Sequence, residues 1–281
     1  MNSNLVTTNW LNDHLHDPDL VILDATIELV QKNTDAAPIS DRKYIPGAVF
    51  LDIENAFSRQ DSTIPHTMIS DHEFQKLVQH LGISQDSVVV IYDAHGIYSA
   101  PRGWWMFKMM GHEQVFVLNG GLPKWLAEKK PVTTEASTIQ ATPSNWQGHY
   151  QQHFICDKEH INSVSQNHQA TIIDARSHGR FTAAEPEPRA GLRSGHIPSA
   201  INIPFESLLD QGCYKPRSEL NDLFWAHHVQ LDQPTYFYCG SGITACIVLL
   251  AACECGLEKC CLYDGSWSEW GADSSLPIAT E

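Results

Sequence analysis

The stretch Tyr236-Phe237-Tyr238-Cys239-Gly240-Ser241-Gly242-Ile243-Thr244-Ala245-Cys246 organises the reading of the whole chain. An aromatic, apolar run fit for a buried strand over 235–238 stops at Cys239. Gly240 and Gly242 then allow a tight turn, and the residues up to Cys255 have helical length and apolar composition. A strand, a glycine-bearing turn and a helix in this order form the basic unit of a parallel α/β sheet. The turn aims a helix N-terminus, with its free N–H groups, at the residue that ends the strand.

Working outward, the same arrangement occurs twice. Tyr238 aligns with Tyr92 of Val89-Val90-Ile91-Tyr92-Asp93, and Asp264-Gly265 through Glu269-Trp270 aligns with Asn119-Gly120 through Lys124-Trp125, at offsets of 146 and 145 positions. Upstream, Thr171-Ile172-Ile173-Asp174-Ala175 and His196-Ile197-Pro198-Ser199-Ala200 repeat Val21-Ile22-Leu23-Asp24-Ala25 and Tyr44-Ile45-Pro46-Gly47-Ala48, at offsets of 150 and 152. Four blocks in one order at a nearly constant offset identify a duplicated domain. The expected organisation is a first domain over 1–130, a polar linker over 131–152 with Pro143 and Gly148, and a second domain over 153–281. Strands are expected over 20–24, 87–92, 170–174 and 235–238. A helix is expected over 71–81, with Ser70 as N-cap and Glu73 at the capping-box position. Strands alternating with helices give each copy a mainly parallel sheet covered on both faces, an α/β fold.

Composition narrows the function. Eighteen Lys and Arg against thirty-three Asp and Glu leave a net charge of −15, which repels nucleic acid and anionic membranes. The longest apolar stretch, 243–253, is well short of the roughly 20 residues that span a bilayer. The N-terminus lacks a secretory or transit pattern, so a cytoplasmic location and reduced thiols are expected for the eight cysteines. No dinucleotide or phosphate-loop motif is present and the cysteine spacings do not suit zinc, so neither cofactor nor metal is expected.

Cys239 is the candidate nucleophile, because converging amides and a helix N-terminus stabilise a thiolate. By the repeat alignment Asp93 takes its place in the first copy, which is therefore expected to be non-catalytic. A cysteine phosphatase needs an arginine six positions after its cysteine to clamp phosphate; that position is Ala245.

The loop Cys239-Gly240-Ser241-Gly242-Ile243-Thr244-Ala245 resembles the active-site loop of the two-domain rhodanese family, specifically its sulfurtransferases that act on 3-mercaptopyruvate. The paired Tyr44/His196-Ile-Pro blocks, the segment from Gly179-Arg180-Phe181 through Glu185-Pro186-Glu187-Pro188-Arg189, and Asp264 to Trp270 resemble that family too, so the likeness runs from about Leu20 to Trp270. Departures are Ile243 where Val is frequent, Ser199 where Gly is usual, and Tyr44 in place of a His.

The resemblance implies a persulfide carried on Cys239, with pyruvate released and the sulfur passed to a thiol such as thioredoxin or to cyanide. It implies that Arg180 and Arg189 bind the keto acid and that the loop residues Gly240, Gly242, Ile243 and Thr244 cradle substrate and sulfur. Ser241 and His66 are implied in a relay, with Asp52 orienting His66 and Glu54 as the alternative. Asp174 and Arg176 are expected to brace the loop beneath the site. Thiosulfate as donor is an alternative, disfavoured because Gly240 and Ser241 carry no charge for a dianion; a non-catalytic sulfur-relay module is another.

Overall fold

The computed structural model describes residues 3–28, 42–137, 144–168, 170–230 and 232–280. The chain divides into two compact units. The first comprises residues 1–57, 69–150 and 211–213; the second comprises 58–68, 151–210 and 214–281.

In the first unit, the elements are β1 (Leu5–Val6), α1 (Thr8–His14), β2 (Leu20–Asp24), β3 (Val49–Phe50), α2 (Asp71–His80), β4 (Val88–Tyr92), α3 (Ala100–Met109), β5 (Val115–Leu118) and α4 (Gly121–Ala127). The strands form one sheet in the order β1-β5-β4-β2-β3, every pair parallel. The run Val89-Val90-Ile91-Tyr92 is buried on both faces, as a central parallel strand must be. Helix α2 starts where Ser70 accepts from the Glu73 N–H while the Glu73 carboxylate accepts from the Ser70 N–H, the reciprocal cap expected from the sequence.

The second unit contains β6 (Ile155–Cys156), α5 (Lys158–Asn167), β7 (Thr171–Asp174), α6 (His178–Phe181), β8 (Ile201–Asn202), β9 (Leu209–Asp210), the Tyr214 end of β10 (Cys213–Tyr214), α7 (Arg217–Ala226), β11 (Thr235–Tyr238), α8 (Ala245–Glu254), β12 (Cys260–Tyr263) and α9 (Ser266–Trp270). Its five-stranded sheet runs β6-β12-β11-β7-β8, again all parallel, and β9 and β10 lie outside it. The two sheets have the same topology, and the repeat holds at the level of register: Asp24 pairs with Tyr92 and Asp174 with Tyr238. Both tyrosine hydroxyls accept a backbone N–H, from Ile45 and Ile197 respectively. The cores correspond as well, Ile22, Ile45, Ala48, Tyr92 and Trp125 in one unit against Ile172, Ile197, Ala200, Tyr238 and Trp270 in the other. Helix α8 is buried on all sides from Ala245 to Ala252, which explains its lack of a polar face.

Two placements differ from the expected organisation. Residues 144–150 of the expected linker pack into the first unit, where Trp146 is wholly buried and donates to His112 Nδ1 at 3.2 Å; residues 138–143 lie outside the described residues. The segment Ser58–Met68, first-domain by its position in the sequence, belongs to the second unit. It doubles back on itself, with an antiparallel bridge between Ser58 and Met68 and a bond from Arg59 N–H to Thr67 C=O.

Candidate active site

Cys239 directly follows β11, which lies beside β7 in the sheet. From β7 the chain proceeds to β8 on one side, and from β11 to β12 on the other. The strand order therefore reverses between β7 and β11, which opens a crevice at their C-terminal ends where ligands of open α/β sheets bind. The loop after β11 carries Cys239, and the loop after β7 carries Arg176, Arg180 and Arg189.

The cysteine loop is clamped from below by the turn after β12. Cys239 C=O accepts from Trp267 N–H at 2.9 Å, Cys239 N–H donates to Ser266 Oγ at 3.3 Å, and Gly240 C=O accepts from the N–H and hydroxyl of Ser268 at 2.9 and 2.6 Å. These bonds explain why the Asp264–Trp270 segment accompanies the cysteine motif. The Cys239 side chain is 2% exposed, and Gly240, Ser241, Gly242 and Ile243 are buried while Thr244 is half-buried. Gly242 takes φ +81°, so a side chain there would be strained.

Two guanidinium groups converge on this loop. A Cβ on Gly240 would lie 3.0 Å from Arg180 Nη2 and 3.8 Å from Arg189 Nη1, so both cations lie against the backbone next to Cys239 and glycine eases the closer approach, that of Arg180. Arg189 Nη2 is 3.5 Å from Ser241 Oγ. Arg180 is held by Glu187, which accepts from Nε at 3.1 Å and Nη2 at 2.6 Å in the planar fork that arginine favours. The same carboxylate accepts from Arg176 Nη1 at 2.8 Å, and Arg176 also pairs with Asp174 and stacks 4.2 Å from the Trp267 ring. Burial opposes the charge of Arg176, but the carboxylates of Asp174 and Glu187 beside it help to outweigh this, so its proton is held more tightly than usual. Asp174 and Arg176 thus anchor the arginine loop to the sheet, as expected. Glu187 has no role that its sequence neighbours assign; its place between two arginines emerges only in three dimensions.

His66 lies in the Ser58–Met68 segment of the second unit. Its Nδ1 is 3.1 Å from Ser241 Oγ and 3.3 Å from Ser241 C=O, and it adopts φ +60°, a costly backbone conformation for a non-glycine residue. Asp52 belongs to the first unit, where its Oδ1 accepts from the Asn55 N–H and side-chain amide, both at 3.0 Å. Glu54 is also in the first unit; burial, then the neighbouring carboxylates of Glu28 and Asp52, push its carboxyl up from the ordinary value. Within the second unit the structure therefore gathers Cys239, Gly240, Ser241, Gly242, Ile243, Thr244, Arg180, Arg189 and His66.

Among the described residues no cluster of metal-ligating side chains is present, and no helix is long and apolar enough to cross a membrane. All eight cysteines are free thiols.

Comparison with known proteins agrees with this geometry. The Rhodanese-like domain model matches twice, over residues 7–128 and 158–273. The chain is 37% identical to the 3-mercaptopyruvate sulfurtransferase of Escherichia coli (strain K12) over 274 residues, covering 97% of this chain and 96% of that protein. It is 38% identical to the thiosulfate sulfurtransferase of Rattus norvegicus over 276 residues, covering 95% and 91%. The crystal structure of the E. coli 3-mercaptopyruvate sulfurtransferase SseA superposes with a TM-score of 0.83 at 35% identity, over 95% of this chain and all of that one. With the duplicated sheet, the cysteine at the end of its strand and matches of this extent, the chain belongs to the rhodanese family, as a sulfurtransferase of two tandem rhodanese-like domains.

Proposed function

We propose that this sulfurtransferase takes sulfur from 3-mercaptopyruvate, and the observation that carries the reading is the approach of Arg180 and Arg189 to Gly240, directly after Cys239. A keto acid offers a carboxylate and a carbonyl oxygen, and planar, always-charged guanidinium groups are the donors best shaped for both. The Cys239 thiolate attacks the sulfur of the donor. The C–S bond breaks, its electron pair passes to the methylene carbon as the pyruvate enolate, and a proton completes pyruvate while Cys239 retains the outer sulfur as a persulfide. Amides of Gly240 to Thr244 support the charge on sulfur. Ser241 and His66 bind the carbonyl oxygen or move the enolate proton, supported by the 3.1 Å approach of Nδ1 to Oγ. Asp52 is the acid of that relay and Glu54 its alternative, both on the strength of the sequence resemblance.

In the second half-reaction a soft nucleophile, a thiol such as thioredoxin or cyanide, attacks the outer sulfur and Cys239 leaves as thiolate. A reducing compartment such as the cytoplasm fits eight free thiols. Thiosulfate is the second reading, favoured by the likeness to a thiosulfate sulfurtransferase. Steady-state kinetics with both donors tests the choice: the expected result is a higher kcat/KM for mercaptopyruvate, and a higher value for thiosulfate contradicts it.

A further inference from the structure

Asp264 follows β12 and opens the turn that clamps the cysteine loop. While Ser266, Trp267 and Ser268 hold Cys239 and Gly240, the Asp264 carboxylate points elsewhere: Oδ2 accepts the backbone N–H of Met68 at 2.9 Å. Met68 closes the doubled-back segment 58–68 through its bridge to Ser58, and it lies two residues after His66. Five consecutive residues, Asp264 to Ser268, therefore fix both the backbone under the nucleophile and the backbone that presents the imidazole. The bond is buried, Asp264 being 7% exposed, so water does not readily replace it.

Bonds made within the His66 segment are local. Arg59 pairs with Asp61 at an exposed corner, and the Ser62 and Thr67 hydroxyls bond one another. These shape the loop but do not set its distance from Ser241. A residue at φ +60° also holds its conformation only when its surroundings impose it. The bond from Met68 to Asp264 supplies such a constraint, from an element rigidly joined to the sheet.

We infer that Asp264 is a positioning residue for the sulfur-transfer reaction: by holding Met68 it keeps His66 Nδ1 in register with Ser241 Oγ. The inference rests on the proposed role of His66 and adds to it the residue that makes that role geometrically dependable. Its effect should fall on the chemical step, since Arg180, proposed to bind the keto acid, is held separately by Glu187. A misplacement of about 1 Å in a reacting group costs on the order of 100-fold in rate.

The test is a double-mutant cycle on the full chain with mercaptopyruvate as donor: Asp264→Ala, Asp264→Asn, His66→Ala, and Asp264→Ala combined with His66→Ala, each with its unfolding midpoint and its rate of Cys239 alkylation. Asp264→Ala should lower kcat roughly 10- to 100-fold with KM changed less than about threefold. Asp264→Asn, whose amide oxygen can still accept from Met68, should recover most of the loss even where the alanine variant is less stable. The combined variant should be no slower than His66→Ala alone. Wild-type kcat in Asp264→Ala, a loss confined to KM, or losses that add to those of His66→Ala overturn the inference while leaving His66 in the mechanism. Slowed Cys239 alkylation in Asp264→Ala with no rescue by Asn also overturns it, because Asp264 would then serve the cysteine loop. Wild-type kinetics in His66→Ala remove both the proposed role of His66 and the inference built on it.

Discussion

The ends of β4 and β11 are the same place in two copies of one fold, and they hold opposite kinds of side chain. After β4 stands Asp93, wholly buried. Its Oδ2 accepts the backbone N–H groups of Tyr98, Ser99 and Ala100, each at 2.9 Å, and its Oδ1 accepts that of His95 at 2.9 Å. After β11 stands Cys239. Both backbones are held alike from the next turn, Asp93 C=O by Leu122 N–H and Cys239 C=O by Trp267 N–H. The first copy thus displays what the strand–turn–helix device does: it gathers amides around a negative charge at a helix N-terminus. There the charge is a carboxylate that belongs to the chain, satisfied and inert. In the second copy a shorter loop with two glycines carries a residue able to form and break bonds to sulfur, with two guanidinium groups beside it. In the proposed function, such a trap for anions becomes a catalytic site because its occupant is a nucleophile and cations adjoin it.

The comparison can be broken most severely at the nucleophile. Cys239→Ser should lower turnover by more than roughly 1,000-fold with either donor while the unfolding midpoint stays near that of the parent, and substantial residual turnover would place the chemistry elsewhere. Next in size is the mirror experiment. Asp93→Ala leaves four amide donors without their acceptor, those of Ser99 and Ala100 buried, so the first unit should lose about 2 kcal/mol or more in denaturant unfolding. An unchanged midpoint would mean that the carboxylate is not what holds that loop.

Arg180→Ala probes the cations that only the second site uses. A lost charge-assisted contact of about 1.5–3 kcal/mol corresponds to a fall in kcat/KM for mercaptopyruvate of roughly 10- to 100-fold. Equal kcat/KM in parent and variant would exclude Arg180 from substrate binding. The smallest effect concerns the Ile-Pro turns. Gly47 takes φ +82°, and its counterpart Ser199 is forced into φ +67°, where a Cβ is penalised, although its hydroxyl recovers a bond to Ser165 C=O. Ser199→Gly should therefore raise stability by up to about 1 kcal/mol. A destabilised variant would show that the hydroxyl bond outweighs the strain.

The same contrast explains what can be read from the residues alone. Local signals suffice for β2, β4, β7 and β11, whose apolar runs have no other use, and for the Ser70 and Glu73 cap, which is complete within four residues. Repetition by itself pairs Tyr92 with Tyr238, and the strand register agrees with that pairing. Contacts made by single side chains over long separations are a different matter. Glu187 reaching two arginines, Met68 bonded to Asp264 across nearly two hundred residues, and the Ser58–Met68 segment joining the second unit leave no periodicity in the sequence. Asp93 is legible as a missing nucleophile, but its capture of four amides depends on how the following loop folds.

Above all, the catalytic role of the second copy depends on Cys239 taking up sulfur. Exposing the protein to 3-mercaptopyruvate without an acceptor, followed by mass spectrometry of its peptides, reads this directly. The expected result is one added sulfur atom on the peptide containing Cys239, removed when a thiol is supplied, with equimolar pyruvate released. Pyruvate formed with Cys239 unmodified, or the sulfur found on one of the other seven cysteines, would contradict it.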